Sequence, residues 1–227
     1  MRLWCEGTGP GASAQSRRLP RTWQLCSLDV SFGGMTLETR PDDAAPRPAR
    51  LTAKDFWLLA ESGAFANHAR TELIDGEIWV VTSVHRWHAR ALGILNLELT
   101  RAIEAAGLQL EVLIAGSVSM SDDSVPEPDL SVIAPLHSEA ETIELEELKI
   151  AIEISDSSAA FDLDRKAKLY ARHAVPEYWV VHRERRAVIQ MWSASESGYA
   201  ERREARLGEP LQSDTIDGLT VETTRIG

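Results

Sequence analysis

Apolar and polar positions alternate along the chain with two distinct periods. From 85 to 106, Leu92, Leu95, Leu99 and Ile103 recur at spacings of three and four, which puts them on one face of a long helix that Gly107 ends. A shorter helix is predicted over 52–62, capped by Thr52, with Phe56, Leu59 and Ala60 at helical spacing and Gly63 as its stop; it should lid one edge of the fold. Residues 71–82 read as two strands about Asp75-Gly76, a hairpin signal because Gly76 accepts positive φ without cost. Strands are predicted over 108–115, 130–134 and 148–154, the last two apolar enough to be central in a sheet. A second helix over 162–173 stops near Pro176. Strands over 178–182 and 187–193 then form a hairpin about the charged residues 183–186, with weaker strands to the end and no internal repeat.

The first 50 residues break both periods. Gly9, Gly11, Gly33, Gly34, Pro10, Pro20, Pro41, Pro46 and Pro48 leave no pattern lasting more than a few positions, so 1–47 is expected to be a mostly disordered extension ahead of a domain over 48–227. No apolar stretch follows Arg2, which excludes a signal peptide. Met35, followed by a polar run, is the expected natural start, with 1–34 arising from an upstream start codon. Cys5 and Cys26 both fall in this stretch, so the folded body has no disulfide or thiolate zinc site, as suits a reducing, cytoplasmic compartment.

Composition narrows the partners. The chain has 227 residues, 44% hydrophobic and 26% charged, and no apolar run approaches the length a membrane helix needs. Its net charge of −11 argues against sequence-independent coating of DNA, which depends on Lys and Arg releasing phosphate counterions. The acidic run over 139–147 reads as a solvated loop and helix edge.

The chemistry concentrates in two strands. Alternation over 148–155 places Ile150, Ile152 and Ile154 on one side and Ala151, Glu153 and Ser155 on the other, so Glu153 interrupts a buried strand. A carboxylate there must be paired, protonated or bound to a metal, because burying it alone costs several kcal/mol. Asp129 follows Pro126-Glu127-Pro128 at the head of another apolar strand, where it can project from the end of the sheet. Two such carboxylates form a hard-cation site suited to Mg²⁺.

Several segments together resemble the Uma2 family, also called the domain of unknown function 820, within the PD-(D/E)xK restriction-endonuclease-like superfamily. They are Glu72-Leu73-Ile74-Asp75-Gly76-Glu77, His88, Pro128-Asp129, Ile152-Glu153-Ile154-Ser155, and Lys166 through Tyr170 to Val175-Pro176-Glu177-Tyr178-Trp179. The ordered set covers about 50–200. It implies an α/β restriction-endonuclease-like core, a mixed central β-sheet flanked by helices, with an N-terminal β-hairpin and C-terminal strands. It also implies a Mg²⁺-dependent endonuclease hydrolysing phosphodiester bonds in DNA. On that pattern the metal is held by Asp129, Glu153 and the main-chain carbonyl of Ile154, Lys166 stabilises developing charge, Glu72 adds a further acid, and His88 contacts substrate phosphate or a carboxylate. A homodimer is the expected assembly, since many such nucleases cut two strands with two subunits.

The chain departs from the superfamily pattern at Ser155, where a lysine is usual; Lys166 in the following helix takes its place in the Uma2-like pattern. Two alternatives stand beside the nuclease. The fold could serve as a catalytically silent interaction module, or act on another phosphate-containing substrate; absence of a basic groove near Asp129 would favour either over the nuclease. Glu153 could be one half of a structural ion pair, and Lys166 could pair on the surface with Asp162 four residues earlier. His85 and His88, lacking a third ligand, do not suggest zinc, and Tyr178-Trp179 reads as core rather than a base-stacking platform.

Overall fold

In a computed structural model, residues 48–81, 85–135 and 140–226 are described. The expectations for 1–47 and a start at Met35 lie outside them, as do Thr82 of the first hairpin and Glu139 of the acidic run.

The chain enters through α1 (Ala53–Glu61), whose N-cap is a capping box: Thr52 Oγ1 accepts from the Asp55 amide and the Asp55 carboxylate accepts from Thr52. Its buried Phe56 packs on Leu73 and Val125, so the helix lies against the first hairpin. That hairpin pairs β1 (Arg70–Ile74) with β2 (Glu77–Val81) in antiparallel register, Glu72 opposite Trp79. Asp75 and Gly76 both take positive φ, 52° and 72°, which matches the right-handed twist of the two strands.

The long amphipathic helix is α2 (Arg86–Ala106), ended by Gly107 in the left-handed region at φ 64°. Its stripe of Ala91, Leu95, Leu99 and Ile103 covers one face of the main sheet, against Ile150, Ile152, Ile154, Trp179 and Val181. That sheet contains β3 (Glu111–Ile114), β5 (Leu130–Ile133), β7 (Leu148–Ser155), β8 (Glu177–His182), β9 (Ala187–Ser195) and β10 (Gly198–Arg206), in the order β10-β9-β8-β7-β5-β3. It is mixed: β7 and β8 are parallel and their neighbours antiparallel. A parallel pair needs a crossover. The crossover is a helical stretch made of α3 (Ala159–Phe161), a π turn (Asp162–Lys166) and α4 (Ala167–Arg172). It packs Ala167, Leu169 and Tyr170 on the opposite face of the sheet, with Ala151, Tyr178 and Val180.

The expected fold class is therefore found, with local differences. The second helix opens three residues earlier than predicted and widens at Asp162, whose carbonyl accepts from the Ala167 amide five residues on. The strand expected over 108–115 shortens to β3. In the acidic run no helix edge is found among the described residues; Ile143 is buried, and β6 (Ile143–Glu144) pairs in parallel with β4 (Val118–Ser119). Beyond β10, the short pair β11 (Leu211–Gln212) and β12 (Thr220–Val221) caps the α2 side of the core through Leu211, Leu219 and Val221. Buried Glu177 fastens that tail, accepting from Ser213 Oγ at 2.6 Å and Thr215 Oγ1 at 2.8 Å.

Candidate active site

Antiparallel pairing sets the start of β5 beside the end of β7. The pairing stops at Leu130 and Ile152, so Ile154 has no strand partner on that side. Asp129 fills the gap with its side chain: the Ile154 amide donates to Asp129 Oδ2 at 2.8 Å. Because a strand residue turns its N–H and C=O to the same edge, the Ile154 carbonyl faces this edge too. The predicted alternation in β7 holds, and it sends Glu153 and Ser155 to the face covered by the crossover helix.

On that face Lys166 lies buried between two acids. Its Nζ is 2.8 Å from Glu153 Oε1 and 3.0 Å from Glu72 Oε1; Glu72 Oε2 is also within 2.9 Å, without the alignment of a hydrogen bond. Tyr170 adds its hydroxyl to Glu153 Oε1 at 3.3 Å, so both bonds to this carboxylate land on one oxygen. The surface pair between Asp162 and Lys166 is thereby excluded. Asp162 turns inward instead and accepts from Ser155 and Ser158. The missing lysine at 155 is thus answered on the same sheet face by one from the helix. The ion-pair alternative for Glu153 is also realised, since its partner is this same Lys166.

A second cation organises Asp129. Arg70 Nη1 donates to Asp129 Oδ1 at 2.9 Å, with Arg70 Nη2 3.5 Å from Glu72 and Nε 3.9 Å from Glu127. His88 Nε2 donates to Asp129 Oδ2 at 2.9 Å, since a carboxylate only accepts. His88 therefore touches a carboxylate of the cluster. Nothing local in the sequence marks Arg70; its only signal is its place two residues before Glu72 on the same strand, which puts both side chains on one face.

The charges polarise one another. Burial alone would raise the Asp129 carboxyl, but the His88 hydrogen bond and the charge of Arg70 hold it down at about 2. Burial pushes Glu153 well above the usual carboxylate range; Lys166 opposes this, while Asp129, Asp162 and Glu72 reinforce it. Burial would strip Lys166 of its proton, yet Glu153, Glu72 and Asp162 outweigh it and raise the ammonium above its ordinary value. The pairing therefore favours the ammonium form of Lys166.

These groups line one cleft of about 500 Å³. Six carboxylates face it, from Glu72, Glu127, Asp129, Glu153, Asp156 and Asp162, against the permanent cations Arg70 and Lys166. No three His, Cys, Asp or Glu side chains converge as a ready ligand set among the described residues. The predicted trio of Asp129, Glu153 and Ile154 nonetheless shares the cleft and offers hard oxygens, so it fits a divalent cation by donor type. Asp129 would have to release at least one of its present partners.

The fold and the cleft define an α/β protein with a carboxylate–lysine centre at the open end of a mixed sheet. The same fold is found in a putative nuclease belonging to the domain of unknown function 820 from Anabaena variabilis ATCC 29413, solved as a crystal structure. The two superpose with a TM-score of 0.60 at 13% identity, over 78% of this chain and 97% of that one. Residues 55–224 match the family model of Uma2, described as "Putative restriction endonuclease", and the chain belongs to the Uma2 family. No curated protein sequence matches it. Among the described residues, no helix is long and apolar enough to cross a membrane.

Proposed function

We propose that this protein is a divalent-metal-dependent nuclease that hydrolyses phosphodiester bonds in DNA, with Mg²⁺ as the metal. The observation that carries the reading is buried Lys166, held against Glu153 and Glu72 beside Asp129 in a cleft with more negative charge than it can neutralise. The family's description and the fold shared with the Anabaena protein, described as a putative nuclease, support the same reading.

In this reading Asp129, Glu153 and the Ile154 carbonyl hold the metal, which when bound supplies Lewis acidity to a water and to a phosphate oxygen. Lys166 keeps its charge in a dry setting and stabilises the negative charge that develops on the phosphoryl oxygens. Arg70 and His88 orient the Asp129 carboxylate, and with a metal bound to it their N–H groups would be available to substrate phosphate. Glu72 balances Lys166 and keeps its Nζ beside Glu153. A homodimer would bring two such centres to the two strands of a duplex, and sedimentation would reveal it. Without cysteine after Cys26, the folded body needs no oxidising compartment, which suits the cytoplasm.

The test is Mg²⁺ titration calorimetry on the wild type, Asp129→Asn and Glu153→Gln, with plasmid nicking on the same preparations. Binding and nicking that vanish together in both variants support the reading. Metal binding without nicking would favour the silent module, and no binding would remove the metal from the proposal.

A further inference from the structure

A second concavity of about 490 Å³ adjoins the cleft, with Asp156 in the wall of both. Its other walls are Trp87 and Arg90 from the first turns of α2, Arg183, Glu184 and Arg186 from the β8–β9 turn, and Leu207. The juxtaposition follows from the topology. The Arg183 amide donates to the Ser155 carbonyl at 3.0 Å, which ties this turn to the end of β7 where the acidic centre begins.

The concavity has the opposite character to the cleft. Three exposed arginines face two carboxylates, and Arg90 and Arg186 form no ion pair among the described residues. Arg183 is fixed by Asp156 at 2.6 Å and by the face of Trp87, 5.6 Å from its guanidinium carbon, which leaves other N–H groups of its fork free. Trp87 is in turn packed against the α2 side of the core. Arg186 sits at φ 51° in the turn, its carbonyl accepting from Leu207 at 2.9 Å, so its backbone is fixed as well. The first turn of α2 carries no acidic residue, so the positive end of a 21-residue helix lies on the same side.

We propose that Arg90, Arg183 and Arg186 form a subsite for the sugar-phosphate backbone of a nucleic-acid strand whose scissile phosphate lies in the acidic cleft. This rests on the nuclease reading and adds to it the part a strongly acidic protein otherwise lacks. The cleft repels a polyanion; the arginines beside it hold the flanking phosphates and keep the strand in register. The subsite reads backbone charge, so it acts on binding and leaves the chemical step alone.

The test uses a fluorescein-labelled single-stranded oligodeoxynucleotide, with anisotropy measured in EDTA over a series of salt concentrations. Thymidine 5′-p-nitrophenyl phosphate, which has no flanking phosphates, serves as the small substrate. The Arg90→Ala/Arg186→Ala double variant should bind several-fold more weakly, and its plot of log affinity against log salt should be shallower by about 0.7 for each phosphate no longer neutralised. Arg183→Ala should add to this, while Arg202→Ala on β10 should leave the slope unchanged. With Mg²⁺, KM for the oligonucleotide should rise and turnover of the small substrate should not change. Unaltered affinity and slope, an equal effect from Arg202→Ala, or no binding by the wild type would each overturn the subsite. The two proposals fail differently: arginine-dependent binding without cleavage sinks the nuclease and leaves the arginines a backbone-binding site alone, whereas cleavage indifferent to the arginines sinks the subsite and keeps the nuclease.

Discussion

Lys166 is where single side chains matter most. Its removal in Lys166→Met leaves Glu72 and Glu153 buried without their shared cation. Unfolding free energy in urea should fall by about 3–5 kcal/mol, the cost typical of orphaning a buried charge. Removing one acid as well, in Lys166→Met/Glu72→Gln, should recover part of that stability, because less uncompensated charge remains. Full additivity of the two changes would contradict a shared pair. Asp129 gives a pH signature. Its folded value of about 2 lies below the ordinary 3.8, so the folded state favours the ionised form. The stabilisation is present above 3.8 and is lost as pH falls toward 2, about 2 kcal/mol in all. Denaturant unfolding across that window should show a slope in the wild type that is reduced in Asp129→Asn.

Among the elements, the β1–β2 hairpin carries Arg70 and Glu72 into the centre, and its turn is narrowly specified. A Cβ on Gly76 would stand 2.9 Å from the Arg50 Cβ and 3.2 Å from the Leu51 carbonyl oxygen, at φ 72°. Gly76→Ala should therefore cost more than about 1 kcal/mol in a thermal or urea melt. At Gly63, where φ is 78° but nothing lies within 4 Å, only the backbone strain remains and Gly63→Ala should cost less. This hairpin was legible in the sequence because Asp75-Gly76 is a local signal, as were α2, from its leucine stripe, and β7, from its alternation about Glu153. The π turn was not, since a three- and four-residue repeat carries no mark of a carbonyl accepting from five residues on. Neither was the β4–β6 pairing, two residues long in each strand. Within the centre, Asp129 and Glu153 stand out from their strands and Lys166, Glu72 and His88 from the resemblance to the Uma2 family, and the structure brings the five together. Arg70 does not, because its bond to Asp129 spans 59 positions and exists only once the hairpin has docked.

At the scale of the molecule, a bound cation would relieve the charge excess of the cleft and so stabilise the fold. In a thermal melt, Mg²⁺ at one hundred times its dissociation constant should add about 2.7 kcal/mol to the wild type and nothing to the Asp129→Asn/Glu153→Gln double variant. A rise in both would point to ions gathering on a chain of net charge −11 rather than to a defined site.

The pairing of Lys166 with Glu72 also bears on the order in which the protein folds. The two residues are 94 positions apart, one on the first hairpin and the other on the crossover between β7 and β8. Closing so large a loop is entropically late, so the hairpin, α2 and the β5–β7 pair can form while the centre is still open. A partly folded or still-emerging chain would then hold Arg70 and Glu72 apart from Asp129, Glu153 and Lys166, leaving the centre incomplete. On the nuclease reading proposed above, competence would be withheld until this long-range pairing closes.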